Sequence, residues 1–116
     1  MEKIDVERFQ REKVEWDIYT SRNLEGQYVN FTLKKITDNS DNNTNAIKDE
    51  TLLLSGTDAQ NGIIRYPLDL ATTLLDGKIL QPTEYKYMIQ LTDAMNSSSL
   101  VLVYGILKIV DNYKKV

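Results

Sequence analysis

The feature that most constrains the fold of this chain is a two-residue alternation of apolar and polar side chains in four separate segments. The alternating apolar residues are Val14, Trp16 and Ile18; Val29, Phe31 and Leu33; Ile64, Tyr66, Leu68 and Leu70; and Tyr85, Tyr87, Ile89 and Leu91. Successive side chains of a β-strand point to opposite faces, so each segment is predicted to be a strand with one buried face. A slip of one residue would bury Lys34 or Glu84, and the pattern therefore also specifies the register of the strands.

Two further segments, residues 51–54 and 100–110, are apolar on both faces. The second is rich in β-branched residues and shorter than the roughly 20 residues that cross a bilayer, so it predicts a long central strand. Gly105 interrupts this strand. A glycine inside a strand indicates a bulge or a close approach of another backbone, and we expect the strand to bend there toward a second sheet.

Polar breaks at residues 23–26, 38–45, 55–62 and 92–99 separate the strands. The Asn61-Gly62 pair predicts a tight turn. A short helical turn is predicted near residues 70–78, closed by Gly77 and lying in a crossover between sheets. Strands divided by turns at such short spacing are typical of a sandwich or a barrel.

The length of 116 residues accommodates one domain. We expect an all-β, antiparallel β-sandwich of about seven strands at residues 13–112, followed by a short tail at residues 113–116. The charged residues 1–12 are expected to form an N-terminal arm or a first edge strand, with a short helix as a further alternative.

The composition excludes several kinds of chemistry. The chain has no cysteine and no histidine, which removes disulfides, thiol nucleophiles and the residue most used as a general base. Its net charge of −3 is made of both signs mixed along the chain, which argues against a nucleic-acid partner. The charged start lacks the apolar core of a signal peptide and no segment is long enough to span a bilayer, so we expect no membrane partner.

The polar loop at residues 38–45 has a pattern that suits a calcium ion, because hard cations bind oxygen ligands at alternate positions. The candidate ligands are Asp38, Asp41 and Asp49. The glycine of the sharp turn in calcium loops is missing, and Asp49 stands where such loops carry a glutamate. The alternative is a solvated hairpin loop, and no other metal and no cofactor is expected.

Candidate catalytic groups lack the partners that would activate them. Glu15 and Asp17 share a strand face and Glu84 lies on another strand, but nothing predicts the buried acid that paired carboxylates need for glycoside hydrolysis. The serines at residues 97–99 have no neighbouring base. We therefore expect no catalytic residues and no enzymatic activity, with a hydrolase as the third class of function considered.

The aromatic residues divide into two groups. Trp16, Tyr85 and Tyr87 lie on predicted inward faces, so core packing accounts for them. Tyr19 and Tyr28 are predicted to face outward, where they would form either a platform for sugar rings or part of a protein interface.

The cationic residues of the first segment, Lys3, Arg8 and Arg11, are further candidates for a protein interface. Short charged segments often become ordered only when they dock onto a partner. A charged arm of this kind would therefore contribute to binding another macromolecule.

The second half of the chain carries a recognisable series of strand and turn motifs. After Asn61-Gly62 come a strand, an irregular crossover, a strand of the form Y-x-Y-x-I-x-L-x-D, a polar loop and a last strand close to G-x-L-x-V. The matching residues are Tyr85, Tyr87, Ile89, Leu91 and Asp93, then Gly105, Leu107, Ile109 and Asp111. With these motifs, residues 14–112 resemble the small immunoglobulin-like domains of tailed-phage virion proteins, such as the N-terminal domains of upper baseplate proteins and related fibre-attachment proteins. Residues 82–85 depart from the usual Pro-Gly-x-Tyr, and the loop at residues 38–45 is longer than usual.

The resemblance implies an immunoglobulin-like sandwich with a structural role in the virion. The implied partners are other virion proteins of the baseplate, tail, fibre attachment or capsid surface, with this chain present in many copies or as a homo-oligomer. The implied location is the virion, after synthesis in the host cytoplasm. The alternative function is that of a carbohydrate-binding β-sandwich module, which outward-facing tyrosines would serve.

Overall fold

A computed structural model describes residues 2–93 and 99–111 of the chain. The predicted tail at residues 113–116 and the serines at 97 and 98 lie outside the described residues. The described strands are β1 Glu2–Lys3, β2 Val6–Phe9, β3 Lys13–Tyr19, β4 Tyr28–Lys35, β5 Lys48–Leu53, β6 Ile63–Asp69, β7 Leu74–Leu75, β8 Lys78–Ile79, β9 Glu84–Thr92 and β10 Ser99–Val110. A short helix, α1, covers Gly56–Gln60.

The strands form two main sheets that pack face to face. The large sheet has the order β1–β10–β9–β4–β5, with β2 also beside β10, and the small sheet pairs β3 with β6. The ring of Trp16 in the small sheet lies 5.4 Å from that of Phe31 and 4.7 Å from that of Tyr87 in the large sheet. The predicted all-β sandwich is confirmed. The order β10–β9–β4–β5 matches strands G, F, C and C′ of a variable-type immunoglobulin domain.

One edge of the large sheet departs from the predicted antiparallel arrangement. Both β1 and β2 pair with β10 in parallel, whereas the other described pairs are antiparallel. Residues 2–9 run along β10 in the same direction, in two short strands. The chain then turns at Arg11, whose φ is 71°, and enters the small sheet as β3. Parallel neighbours need a long connection between them, and here that connection is most of the domain.

The alternating residues form the core, as their pattern predicted. All of them are buried except Ile18, which is half-buried. At the centre of the core the rings of Phe31 and Tyr66 stack with centroids 4.5 Å apart. Leu24 is also fully buried, although it lies in a polar turn whose composition did not indicate a core residue.

Two hydrogen bonds in series join the two sheets and the N-terminal segment. The indole Nε1 of Trp16, on β3, donates to the hydroxyl oxygen of Tyr87, on β9, at 3.1 Å. The Tyr87 hydroxyl donates in turn to the backbone carbonyl of Ile4 at 2.6 Å. Each of these groups is shielded from water, and a buried polar group without a partner costs about 1–3 kcal/mol. The single hydroxyl of Tyr87 therefore holds three separate parts of the fold together.

Tyr85 provides a second tie at the start of β9. Its hydroxyl donates to the carbonyl of Gln81 at 2.9 Å. A tyrosine that bonds backward in this way is the tyrosine corner of immunoglobulin domains, where it stands two residues before the cysteine that joins strand F to strand B. Tyr87 stands two residues after Tyr85, the spacing that this cysteine has in immunoglobulin domains, and here it forms a hydrogen bond with Trp16 of the small sheet.

β10 does not bend toward the small sheet at Gly105, contrary to the prediction. It stays in the large sheet from Ser99 to Val110, and its irregularity lies between Val101 and Val103. Gly105 instead allows another backbone to approach closely, because a Cβ at residue 105 would overlap the backbone carbonyl of Ile4.

The close approach at Gly105 coincides with the break between β1 and β2. The Ile4 N–H donates to the carbonyl of Tyr104 at 2.9 Å. The Asp5 carboxylate then accepts the N–H of Ile106 at 3.0 Å, in the place of a backbone carbonyl. The N-terminal segment therefore follows β10 across the break without leaving the edge.

The helical turn predicted near residues 70–78 is limited to residues 70–73, and Gly77 does not close it. Residues 70–73 form a turn in which the Thr73 N–H donates to the Asp69 carbonyl at 3.1 Å, and β7 and β8 then form a two-residue hairpin. Asp76 and Gly77 occupy the loop with φ values of 53° and 79°. Two positive φ values in succession define the type I′ hairpin turn that Asp-Gly favours. The glycine that suggested the end of a helix is thus part of a hairpin.

The described helix lies at Gly56–Gln60, where a tight turn was expected. The Asn61 N–H donates to the Thr57 carbonyl at 3.0 Å, and the Gly62 N–H donates to the Ala59 carbonyl at 3.1 Å. An Asn-Gly pair closes a helix as readily as a hairpin, because both endings use residues that tolerate unusual backbone angles.

Replacing Gly105 with alanine is expected to detach the N-terminal segment from β10, because the added Cβ overlaps the Ile4 carbonyl. We expect the free energy of unfolding to fall by about 2–3 kcal/mol in chemical denaturation. Ile106→Ala, at the adjacent half-buried position, serves as the control and is expected to cost less. Unchanged amide-exchange protection of residues 2–9 in Gly105→Ala would contradict this account.

Alkaline pH is expected to destabilise the fold. Burial raises the pKa of Tyr66, Tyr85 and Tyr87 above the ordinary tyrosine value of 10.0. The folded protein then retains protons that the unfolded chain releases, so this contribution to stability is complete below pH 10.0 and is lost as the pH rises further. Phenolate absorbance and circular dichroism recorded together will check it: the three tyrosines should ionise only as the sheet signal disappears. Full ionisation of every tyrosine in a still-folded protein would be the opposite result.

Candidate interaction site

A sandwich of two separate sheets has four open edges. In this domain they are β5 and the β1–β2 segment of the large sheet, and the outer sides of β3 and β6 in the small sheet. An open edge exposes unpaired backbone N–H and C=O groups that can pair with a strand of another chain. Natural proteins protect such edges with charged residues, proline, breaks or bulges, so an unprotected edge indicates an interaction surface.

Both edges of the small sheet are protected. Pro67 lies in the middle of β6 and has no N–H with which to complete a ladder. The exposed side of β3 carries Lys13, Glu15 and Asp17 at successive outward positions. A strand that approached either edge would meet a missing donor or a row of charges.

The N-terminal edge of the large sheet is protected by its own irregularity. The ladder breaks at Ile4 and Asp5, between two short strands. Beyond the break, Glu7 forms an ion pair with Lys108 at 3.8 Å on the outward face. This edge therefore offers no long regular stretch of backbone to another chain.

The β5 edge differs in its second half. Its first residues are charged, but Thr51, Leu52 and Leu53 include neither a charge nor a proline. The side chains of Leu52 and Leu53 are 39% and 58% exposed. Leu52 pairs with Val29 and so points to the inner face, whereas Leu53 pairs with Tyr28 on the outer face. The open edge is therefore apolar on both faces, and we call residues 51–53 the β5 edge patch.

The charged half of β5 is anchored to the rest of the domain. The Asn30 side-chain amide donates to Asp49 at 2.8 Å and to the Thr51 hydroxyl at 3.0 Å. The Tyr66 hydroxyl donates to the Glu50 carboxylate at 2.7 Å, which adds to the effect of burial in raising the pKa of Tyr66. These contacts hold β5 in the sheet, and the Thr51 hydroxyl is bonded inward to Asn30 of the neighbouring strand.

The sequence did not single out the β5 edge patch. Residues 51–54 were interpreted only as a strand that is apolar on both faces. The available signal was the change from three charged residues, Lys48, Asp49 and Glu50, to an uncharged run at the end of the same strand. An uncharged run of this kind forms an open edge only if its strand lies at the end of the sheet. The order of strands in the sheet does not follow from this local pattern.

The two tyrosines predicted to face outward do so on opposite sides of the molecule. Tyr19 is 67% exposed at the end of β3, on the outer face of the small sheet. Tyr28 is half-buried on the outer face of the large sheet, beside Leu53. The structure does not bring them together as one platform, and only Tyr28 adjoins the β5 edge patch.

The three cationic residues of the first segment are also dispersed. Lys3 pairs in register with Tyr104 and lines a cleft on the outer face of the large sheet. Arg8 donates to the backbone carbonyl of Glu7 at 2.8 Å, on β2. Arg11 lies in the exposed turn that follows. They do not form a single cationic surface.

The candidate calcium ligands do not converge. Asp38 accepts hydrogen bonds from the Ser40 N–H at 3.0 Å and the Ser40 hydroxyl at 2.6 Å, and these bonds are the main cause that lowers the pKa of Asp38. Asp49 lies on β5 and is bonded to Asn30, and Asp41 is exposed in the loop. Across residues 2–93 and 99–111 no cluster of three or more acidic side chains is placed to hold a metal ion.

A lysine of the large sheet contacts the backbone of this loop. The Lys34 ammonium donates to the backbone carbonyls of Ser40 at 3.1 Å and Asn42 at 2.8 Å. The carbonyl oxygens of the loop are thus directed at a side chain of β4, which holds the loop against the outer face of the large sheet.

The loop and the large sheet enclose a cleft of about 590 Å³. Lys3, Lys34 and Lys86 lie around it, and Met88 and Tyr104 contribute its apolar surface. Lys34 and Lys86 are directly opposite each other on neighbouring strands. A cleft of this size lies within the range of small-ligand sites, and its lining favours polar or anionic groups.

The carboxylates considered for catalysis lie on different faces. Glu15 and Asp17 are exposed on the small sheet, and a hydrogen bond with Asp17 raises the pKa of Glu15. Asp17 also pairs with Arg65 at 3.3 Å. Glu84 lies on β9 of the large sheet. The three groups therefore do not face a common space.

Replacing Lys34 with methionine is expected to release the loop at residues 38–45 from the sheet, because two loop carbonyls lose their donor. Since the ammonium is close to solvent, we expect a loss of at most about 1 kcal/mol in the free energy of unfolding. Amide exchange and limited proteolysis of the loop should accelerate clearly. Lys86→Met is the matched control, since its contact with Asn39 is 3.5 Å long, and it should leave the loop protected. Equal acceleration in both variants would argue against the role of Lys34.

The part of the chain that the structure describes has no helix that is long and apolar enough to cross a membrane. No protein-family model matches the sequence, and a search of curated proteins finds none that is similar to it. Function must therefore be argued from the fold, from the β5 edge patch and from the motifs of the sequence.

Proposed function

We propose that this protein is a non-enzymatic structural subunit of a tailed-phage virion that docks onto other virion proteins, in the baseplate, the tail, the fibre attachment or the capsid surface. The observation that carries this proposal is the open, unprotected and apolar end of β5. Three of the four sheet edges have features that prevent pairing, and this one does not. An open and apolar strand edge of this kind is suited to pairing with a strand of another protein chain.

Pairing at a sheet edge suits a component of a regular assembly. Backbone hydrogen bonds supply affinity, and the side chains on the two faces of the added strand supply specificity. The anchoring of Asp49 and Glu50 keeps β5 in place before any partner arrives. An edge that is ordered in advance loses little conformational entropy on binding.

The motifs of the sequence support the same assignment. The hydrogen bond of Tyr85 with Gln81 and the strand order of the large sheet are features of immunoglobulin domains, the general class to which the resemblance points. The separation of Glu15 and Asp17 from Glu84 supports a binding role over a hydrolytic one. Fold-level similarity remains an analogy, so the edge patch is the stronger argument.

A carbohydrate-binding module is the alternative, and the cleft on the large sheet is the feature that favours it. Tyr104 would offer a ring face to a sugar, and Thr32 and Gln90 would offer hydrogen-bonding groups beside it. Tyr19 and Tyr28, which first suggested this function, lie on opposite faces and cannot bind one sugar chain as a pair.

The test of the proposed function is the composition of purified particles. Phage particles produced by the host that encodes this chain should contain it at a fixed ratio to the known structural proteins, measured by quantitative mass spectrometry. Leu53→Lys in the encoded chain should reduce its incorporation, whereas Leu74→Lys, at another exposed leucine, should not. Consistent absence of the chain from intact particles would refute the proposal. Absence combined with binding on a glycan array, abolished by Tyr104→Ala, would favour the alternative.

A further inference from the structure

We infer that the partner of the β5 edge patch is a second copy of the same chain, paired antiparallel across a two-fold axis that passes through Leu52. This inference rests on the proposed role of the edge as a docking surface and names its occupant. The two large sheets would then form one continuous sheet through the interface.

A two-fold axis places each residue of one β5 opposite a residue of the other, at equal distances from the axis. In a continuous sheet the inner faces of the two copies lie on the same side, and opposed residues must point to the same face. The axis must therefore pass between the two copies of one residue, and not between two neighbouring residue positions. Only six registers are therefore centred within Lys48–Leu53. The side chains of β5 can be compared in each of them.

Charge eliminates the three registers centred on the first half of the strand. An axis at Lys48, Asp49 or Glu50 places that residue directly opposite its own copy, and two like charges face each other. Like charges at opposed positions of an antiparallel pair are destabilising. The two copies of β5 are therefore not expected to pair about an axis in the charged half of the strand.

Packing selects among the three registers that remain. An axis at Thr51 places Asp49 opposite Leu53 and Glu50 opposite Leu52, which brings carboxylates against apolar side chains. An axis at Leu53 places Glu50 opposite Gly56, where the strand has ended and α1 begins with a φ of 87°. Neither arrangement pairs the three residues of the edge patch solely with one another.

An axis at Leu52 is the register that pairs the three residues of the edge patch solely with one another. Leu52 then faces Leu52 of the other copy on the inner side, and Thr51 faces Leu53 on the outer side. Glu50 faces the half-buried Leu54 and keeps its hydrogen bond from Tyr66. No charged residue of the paired stretch lies opposite another charge, and both exposed leucines become covered.

The interface is small, and this sets its expected strength. A stable protein interface buries about 1,600 Å² in total, more than two short strands can supply. The isolated pair should therefore be weak, and many copies held together in an assembly would strengthen it through a high effective concentration. The dimer is expected to become visible only as the protein concentration rises.

Sedimentation equilibrium of the full chain, from about 10 µM to about 1 mM, measures this association. The native chain should show a concentration-dependent dimer. Leu52→Lys places two lysines face to face at the axis and should raise the dimer dissociation constant at least about ten-fold, with the same direction for Leu53→Lys. Leu74→Lys is the matched control, since Leu74 is 48% exposed on the β7–β8 hairpin, and it should leave the dimer intact. A chain that stays monomeric throughout, or a dimer that survives Leu52→Lys, overturns the inference, as does equal loss with Leu74→Lys.

Cysteine substitution tests the register itself. The chain contains no cysteine, so a single introduced thiol reports only on its own position. Opposed residues of an antiparallel pair lie within the Cα separation of about 4.4–6.8 Å that a disulfide requires. Under mild oxidation Leu52→Cys should form a covalent dimer quickly, and Thr51→Cys and Leu74→Cys should not. Faster crosslinking by Thr51→Cys would overturn the Leu52 axis.

The outcome is distinguishable from that of the proposed function. Self-association of the purified chain requires no virion, and incorporation into particles requires no homodimer. A monomeric chain that is nonetheless present in particles would overturn this inference and leave the structural role standing. A dimer with the Leu52 axis that is absent from particles would support this inference and refute the virion assignment.

Discussion

The hydrogen bonds that pass through the hydroxyl of Tyr87 are the contact on which the arrangement of this domain depends. That hydroxyl accepts from the Trp16 indole of the small sheet and donates to the Ile4 carbonyl of the N-terminal segment. The apolar core can hold two sheets together without choosing their relative position in detail, because hydrophobic contact is not directional. The tyrosine adds direction. It sets where β3 lies over β9 and where the first residues lie along β10.

The same contact is one of those that hold this β-sandwich together without the disulfide found in immunoglobulin domains. A disulfide between the second and the penultimate strands stabilises such domains mainly by restricting the unfolded chain. A hydrogen bond between Trp16 and Tyr87 offers no such restriction, so stability must come from the folded state. The stacked rings of Phe31 and Tyr66, 4.5 Å apart, and the tyrosine corner at Gln81 supply part of it. Trp16, Phe31, Tyr66 and Tyr87 contact one another in a single aromatic cluster between the sheets.

The sequence predicted what depends on local pattern and missed what depends on the order of strands. The inward positions of Val14, Phe31 and Tyr85 follow from alternation, since a buried face imposes a period of two. The type of turn at Asp76-Gly77 was misjudged because glycine with φ above zero ends a helix and forms a hairpin alike. The β5 edge patch could not be recognised, because Leu52 is exposed only if no strand follows β5 in the sheet. A run of apolar residues has no mark that distinguishes an edge from a centre.

The parallel pairing of the first strand with the last has a consequence for how the domain is made. Residues 2–9 are synthesised well before their partner, β10. The Ile4 carbonyl and the Tyr87 hydroxyl are separated by 83 positions, so the bond between them forms only after the intervening strands have been made. Contacts between such distant residues slow folding, because a long loop must close before any interaction compensates for the lost entropy. The pairing of β1 and β2 with β10 is therefore expected to form late in folding, after the strands between them have come together.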